Sequence, residues 1–212
     1  MEGSRQCLII TAKIKPNSVV VAQLDEKQRR LEYLVVLQYY IKNYQSAIYF
    51  IENSAYNFEE DSEFSTLFAM ENVYLIKHTP SNEYTKGKGY QEFEMMDKTI
   101  VQIGEYFDEF IKITGRYKVT NFNQLKNQKN KGFVIDRHKK RKVAITSFFK
   151  CLITEYDDFV KGAFKEVDDS KEINIENILY NRLSEINQNI INLFNFSYFY
   201  VGFYCSFCFS FI

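Results

Sequence analysis

The sequence predicts an α/β layer fold with a mostly parallel central sheet flanked by helices. Three observations carry this. Apolar runs of strand length alternate with segments of helical period, the pattern of strands joined by covering helices. A hydrophobic share of 46% beside 25% charged residues is ordinary for a chain that fills a core and unlike a disordered one. The length of 212 residues lies close to the usual span of about 100–200 residues per domain, so one domain is expected over residues 1–192.

The first strand spans residues 7–14 and stops at Lys15-Pro16-Asn17. Asp25, followed three residues later by Gln28, has the spacing of a capping box and starts a helix whose Leu31, Leu34, Val35 and Ile41 are expected to face the sheet. Residues 47–51 read as a short buried strand, 59–70 as a second helix, and 73–77 as a third strand running into the polar loop SNEYTKGKGYQE. Helical spacing returns over 91–104 through Phe93, Met96, Ile100 and Ile103, and residues 110–113 form the fourth strand, leading into Thr114-Gly115-Arg116-Tyr117. Short strands at 133–135 and 143–145 flank a basic turn at 137–142. Helices at 155–164 and 174–191 complete the ordered part.

Residues 193–212, LFNFSYFYVGFYCSFCFSFI, break with this composition: they are rich in aromatics and carry no charge. Three readings stand open: a non-native or out-of-frame terminus, a membrane-seeking anchor, or a buried strand, the last because Phe207, Phe209 and Phe211 alternate with Ser206, Cys208 and Ser210.

Charge narrows the partners. Lys plus Arg (27) equals Asp plus Glu (27), so no bulk cationic field exists to hold a nucleic-acid backbone. The four Cys are too unevenly spread for a disulfide framework, and MEGSRQCLII lacks the apolar stretch of a signal peptide, which together predict a cytoplasmic protein. Metal sites have thin support. His78 and His138 are far apart, and CSFC lies within the aberrant tail. The acidic pairs Asp157-Asp158 and Asp168-Asp169 read more simply as exposed acids near helix ends.

In open α/β sheets ligands bind beyond the carboxyl ends of the strands, which marks four polar clusters. They are Thr11-Ala12-Lys13, Glu52-Asn53-Ser54, Lys86-Gly87-Lys88-Gly89-Tyr90 and Thr114-Gly115-Arg116-Tyr117. The GKG stretch sets two cations and two glycines before a helix, where free N–H groups and the helix dipole favour a phosphate. A solvated turn is the plainer reading, since neither a Walker loop nor a GxGxxG fingerprint is present. Arg116 offers a planar fork suited to a diphosphate, or to a structural salt bridge. Tyr90 and Tyr117 are candidates to stack on a base or sugar, against the plainer role of packing.

Taken in order, the TAKI strand, RRLEYL, IENS, KGKGYQE, FIKITGRY, FVIDR and the late acidic helix resemble a group of bacterial glycosyltransferases of capsule or lipopolysaccharide synthesis with a GT-A-like nucleotide-diphospho-sugar transferase fold. The resemblance spans residues 7–185. It implies transfer of a sugar from a nucleotide-sugar donor to a glycan or lipid-linked acceptor, at the inner face of the cytoplasmic membrane if the tail is an anchor. Thr11, Lys13 and Asn53, with Arg30 a weaker candidate, would line the nucleotide side. Lys88 and Arg116 would take the leaving-group charge, and Glu92, Asp169 and Glu176 are the candidate general bases, with Glu92 alternatively fixing Arg116. The sequence departs from the usual pattern in having TGRY where a metal-binding Asp-x-Asp often stands, so no metal cofactor is expected. If one is used, Asp136 is the best remaining ligand. Two other readings compete: a non-catalytic or truncated nucleotide-sugar-binding relative, and a nucleotidyltransferase or phosphate-ester hydrolase on the same sheet.

Overall fold

The computed structural model describes residues 5–16, 25–127, 133–184 and 198–200. Its main sheet has five strands. They are β1 (Gln6–Ala12), β2 (Ile48–Glu52), β3 (Val73–Lys77), β4 (Glu109–Thr114) and an edge strand that follows a small hairpin, in the spatial order β3, β2, β1, β4, edge. The hairpin pairs β6 (Arg137–His138) with β7 (Val143–Ala144), and the edge strand, β8 (Phe148–Leu152), runs antiparallel to β4; the other pairings are parallel. The chain therefore builds outward from β1 through β2 to β3 and then returns to β1's other side with β4. Sequence-distant β1 and β4 meet at a topological switch point, where such sheets open a crevice.

Both faces of this sheet are covered, which is why its strands read as nearly continuous apolar runs. Alternation sends Cys7, Ile9 and Phe110 to one face, against α3 (Lys88–Ile103). Leu8, Ile10, Ile111 and Ile113 go to the other, against α1 (Glu26–Asn43). Each fully buried Phe or Ile contributes about 1.5–3 kcal/mol relative to exposure.

Asp25 caps α1 as its spacing predicts, accepting the N–H groups of Lys27 and Gln28 at 2.9 and 3.4 Å. The reciprocal half of the box is absent, because the Gln28 side chain donates to Glu32 instead. The buried stripe also differs from expectation. Leu31 is exposed and Val35 and Ile41 only half-buried, while Tyr33, Leu34, Val36, Leu37 and Tyr40 meet the sheet. The reason is chemical: a tyrosine goes inward when its hydroxyl finds partners, and Tyr40 Oη donates to the Tyr117 carbonyl and accepts the Val119 N–H.

The helix expected at 59–70 shortens to α2 (Ser62–Phe68), capped by Asp61. That expected at 91–104 starts three residues earlier, so Lys88 and Gly89 lie in its first turn. The strand placed at 133–135 is a correction: its residues are buried, but only Val134 bridges, to Lys150. The edge position belongs to β8, unrecognised in the sequence because Lys150 interrupts its apolar run; a 3.0 Å ion pair with Glu109 lets that lysine be buried. A helix over 155–164 is likewise corrected to α5 (Ile153–Phe159), since Gly162 turns left-handed at φ 76° and a separate 3-10 turn follows. Two short elements lie outside the main sheet, β5 (Tyr117–Val119) and α4 (Phe122–Lys126). The last helix, α6 (Ile175–Ser184), is described to Ser184, and its expected continuation to 191 lies outside the described residues. Of the aromatic tail, β9 (Tyr198–Tyr200) pairs antiparallel with β5; the rest lies outside the described residues. Among the described residues no helix is long and apolar enough to cross a membrane.

Candidate functional site

At the switch point, two consecutive residues of α3 tie together three strand ends. Glu92 Oε1 accepts from Thr11 Oγ1 at 2.5 Å, from Thr114 Oγ1 at 3.0 Å and from the Lys112 ammonium at 2.6 Å. Thr11 is next to last in β1, while Lys112 and Thr114 lie in the second half of β4, and period-two alternation puts all three on the α3 face. Gln91 does the same for the next strand over: its amide oxygen accepts from Lys13 Nζ and its carbonyl accepts from Asn53 Nδ2 at 3.2 Å.

Lys112 is 0% exposed, and it also donates to Thr114 Oγ1 at 2.8 Å and to the Thr146 carbonyl at 2.7 Å. Burial lowers the proton affinity of its ammonium, opposed chiefly by the Glu92 charge. For Glu92 the balance falls the other way. Burial would raise its carboxyl, yet the Lys112 charge and the hydrogen bonds from Lys112, Thr11 and Thr114 hold it below the ordinary carboxylate range. The network continues outward through Thr146, whose hydroxyl donates to Glu176 at 3.1 Å.

Two acceptors in this cluster stay open. Asn53 is 3% exposed and its Oδ1 is a buried atom with no hydrogen-bond partner. Glu92 Oε2 receives no hydrogen bond from the described residues, is not a buried atom, and belongs to a side chain that keeps 22% of its surface. Beside them burial pulls the Lys13 ammonium down to about 8, with Glu52 opposing and Arg29 assisting. Glu52 is buried under the same loop, accepting N–H groups from Ile14 at 3.0 Å and Ser54 at 2.9 Å.

The remaining predicted residues distribute as follows. Arg116 is paired through Nε with Glu32 of α1 at 2.5 Å, their side chains 15% and 1% exposed. Glu32, rather than Glu92, therefore fixes it. Gly115 lies where any Cβ would press within 2.9 Å of Ile10, the Thr11 carbonyl and Tyr33, so β1 and β4 approach closely there because it has no side chain. Lys88 is exposed in the first turn of α3. Gly87 caps that helix at φ 104°, a conformation suited to glycine, and the Asp169 carboxylate occupies the space its Cβ would need. Asp169 accepts the Lys88 N–H, and burial raises its carboxyl against that bond and the Lys88 charge. The helix start predicted to hold an anion thus holds a carboxylate of the chain itself. Gly89 gives room to Ile175 of α6, Tyr90 is buried against Phe164, and Lys86 lies over the Tyr90 ring at 5.0 Å. Tyr117 offers its carbonyl to Tyr40.

Arg30 clamps α1 to the cap of α2, with two 2.6 Å bonds to Asp61 and one of 2.7 Å to Glu63. It also lines, with Lys15, Tyr56 and Asn57, a polar cavity of about 360 Å³ beyond the ends of β1 and β2. Asp136 is half-buried beside the β6–β7 hairpin, its carboxyl raised by burial. The turn after β4 offers Thr114, Gly115 and Arg116, a set containing a guanidinium and no carboxylate, which does not suit a divalent cation. Among the described residues no group of three or more His, Cys, Asp or Glu is placed to hold a metal ion.

Sequence reasoning missed Lys112, Gln91 and Glu32. Lys112 had a signal: a lysine inside the apolar run of a central strand, where a covered face obliges it to find a partner.

No protein-family model and no curated protein matches this sequence. Among solved structures, the chain is similar to one described as a nucleotide-diphospho-sugar transferase from Desulfovibrio desulfuricans G20. The TM-score is 0.54 at 10% identity, covering 90% of this chain and 80% of that one. A cytidylyltransferase from Leptospira borgpetersenii serovar Hardjo-bovis (strain JB197) aligns with a TM-score of 0.47 at 8% identity, covering 82% and 74%. At such identity the first likeness is one of fold: this chain has the α/β fold of nucleotide-diphospho-sugar transferases, the GT-A-like class.

Proposed function

We propose that this chain is a glycosyltransferase that moves a sugar from a nucleotide-sugar donor to a cell-surface glycan or lipid-linked acceptor. The observation that supports it best is the pair of open acceptors, Asn53 Oδ1 and Glu92 Oε2, beside the Lys13 ammonium at the strand ends. A nucleotide sugar brings what such a site lacks: N–H groups on a base, hydroxyls on its sugars, and a diphosphate. In this reading Asn53 accepts from the base and Lys13 approaches the phosphates. Lys88, exposed at the start of α3, takes up the charge of the departing diphosphate in place of a metal, while Arg116 stays paired with Glu32 on the α1 face.

If transfer inverts the anomeric centre, the acceptor hydroxyl attacks as the bond to the diphosphate breaks, and its proton passes to a carboxylate. Asp169, whose proton affinity burial has raised, suits that role better than Glu92, which Lys112 holds ionised.

Calorimetric titration with ribonucleoside diphosphates tests the proposal. Binding should weaken about tenfold or more in Asn53→Ala and Lys13→Ala, and should fade as pH rises through about 8, where Lys13 loses its proton. Incubation with nucleotide sugars should release the diphosphate, with or without EDTA. Unchanged affinity in both variants would refute the site. Binding without turnover on any donor and acceptor would favour the non-catalytic relative.

A further inference from the structure

Glu92 receives all three of its hydrogen bonds on one oxygen. Thr11, Thr114 and Lys112 converge on Oε1, from two strands, and no described residue donates a hydrogen bond to Oε2. A carboxylate serving only to neutralise a buried lysine has no reason to be loaded so unevenly. Here the three donors act as a mount: they fix the carboxyl plane and leave one lone-pair-rich, accessible oxygen at the crevice between β1 and β4. Lys112 has no freedom to leave, since its other two donors are spent on Thr114 and the Thr146 carbonyl. What an ionised, accessible oxygen next to two threonines can take is a neutral donor. A phosphate would be repelled by it, whereas a sugar hydroxyl would form a short charge-assisted bond.

We infer that Glu92 Oε2 is a hydroxyl-recognition point for the sugar part of the ligand, and that Lys112 is a positioning residue that holds it there. This inference rests on the nucleotide-sugar reading and deepens it. The hydroxyl has two possible sources, the ribose of the nucleotide or the sugar to be transferred, and both share the same chemistry.

The test is a cycle between residue and ligand. Wild type, Glu92→Gln, Lys112→Met and the double variant Lys112→Met/Glu92→Gln are titrated with each ribonucleoside diphosphate, its 2′,3′-dideoxy counterpart, and UDP-glucose and GDP-mannose, with thermal unfolding measured in parallel. Glu92→Gln keeps an oxygen for the mount and can turn the open atom into an N–H₂ group. We expect it to fold and to lose about tenfold or more in affinity for the hydroxyl-bearing ligand. If ribose is the source, wild type should prefer the ribo form by a similar factor and the Gln variant should bind both forms alike. If the transferred sugar is the source, the gain from diphosphate to nucleotide sugar should vanish in the variant, while the dideoxy substitution matters in neither protein. The double variant should regain thermal stability over Lys112→Met alone without regaining hydroxyl discrimination.

Equal ligand preferences in wild type and Glu92→Gln would overturn the inference while leaving the nucleotide-sugar reading standing. Recovery of discrimination in the double variant would make the pair purely structural. No binding of any nucleotide to the wild type would take down the reading and the inference together.

Discussion

The end of β4 is handled differently on the two faces of the sheet. On the α1 face, Arg116 meets Glu32, and the carboxylate is 1% exposed, with Gln28 donating to it and the Arg29 charge beside it as part of the packing. On the α3 face, Lys112 meets Glu92, and here the lysine is sealed while the carboxylate keeps an accessible oxygen. Two cation–carboxylate pairs a few residues apart in sequence thus have opposite exposures. The difference teaches that an ion pair's chemistry follows from which partner is sealed. Sealing the acid makes a joint, whereas sealing the base leaves an acid oriented for a ligand.

The contrast can be broken most forcefully at Lys112. Lys112→Met leaves Glu92 charged without its partner, which should cost about 3–5 kcal/mol in urea unfolding. Arg116→Met should cost less, because Gln28 still donates to Glu32 and the Arg29 charge stays beside it, whereas Lys112 is the charge that holds Glu92 ionised. Equal losses would remove the distinction between the faces.

A second probe presses on the α1 face from within. Gly115→Ala places a methyl 2.8 Å from Ile10 Cγ2 and 2.9 Å from both Tyr33 and the Thr11 carbonyl, and should destabilise by about 1–3 kcal/mol. Because it shifts the end of β1, it should also weaken nucleotide binding; a loss of stability with affinity intact would mean that Thr11 does not transmit the displacement.

The smallest expected effect concerns Arg30, paired with Asp61 at the start of α2. Burial alone would raise the Asp61 carboxyl, but bonds from Arg30, the Tyr56 hydroxyl and the Phe64 N–H bring it down to about 2. A carboxyl depressed on folding stabilises above its unfolded value near 3.8, and that stability is lost as pH falls toward about 2. Arg30→Ala should therefore lose no more than about 2 kcal/mol at neutral pH, and the gap to wild type should close between pH 4 and 2. A gap that persists at pH 2 would assign the loss to packing against Phe64 instead.

Much of the scaffold was legible because local signals agreed with one another. The first four strands, the Asp25 cap and the spacing of Phe93, Met96, Ile100 and Ile103 each stated a period that burial then honoured. β8 was not legible, since Lys150 hides a buried strand until Glu109 is known to lie opposite. The site was half legible. Thr11, Lys13, Asn53 and Thr114 follow from the rule that ligands gather at strand ends, Glu92 entered only as a base candidate implied by the resemblance, and the structure joins all five through Gln91, Glu92 and Lys112.

By itself, the sequence determined the layering, because alternation and helical period are properties of the local chain and need no partner to be read. The tertiary structure alone decided which charges meet. Arg116 with Glu32, Lys112 with Glu92, and Asp169 at the start of α3 join residues 20 to 84 positions apart or close to it. Pairing over such separations depends on strand order and on which face a helix covers, and neither is written in the spacing of the residues themselves.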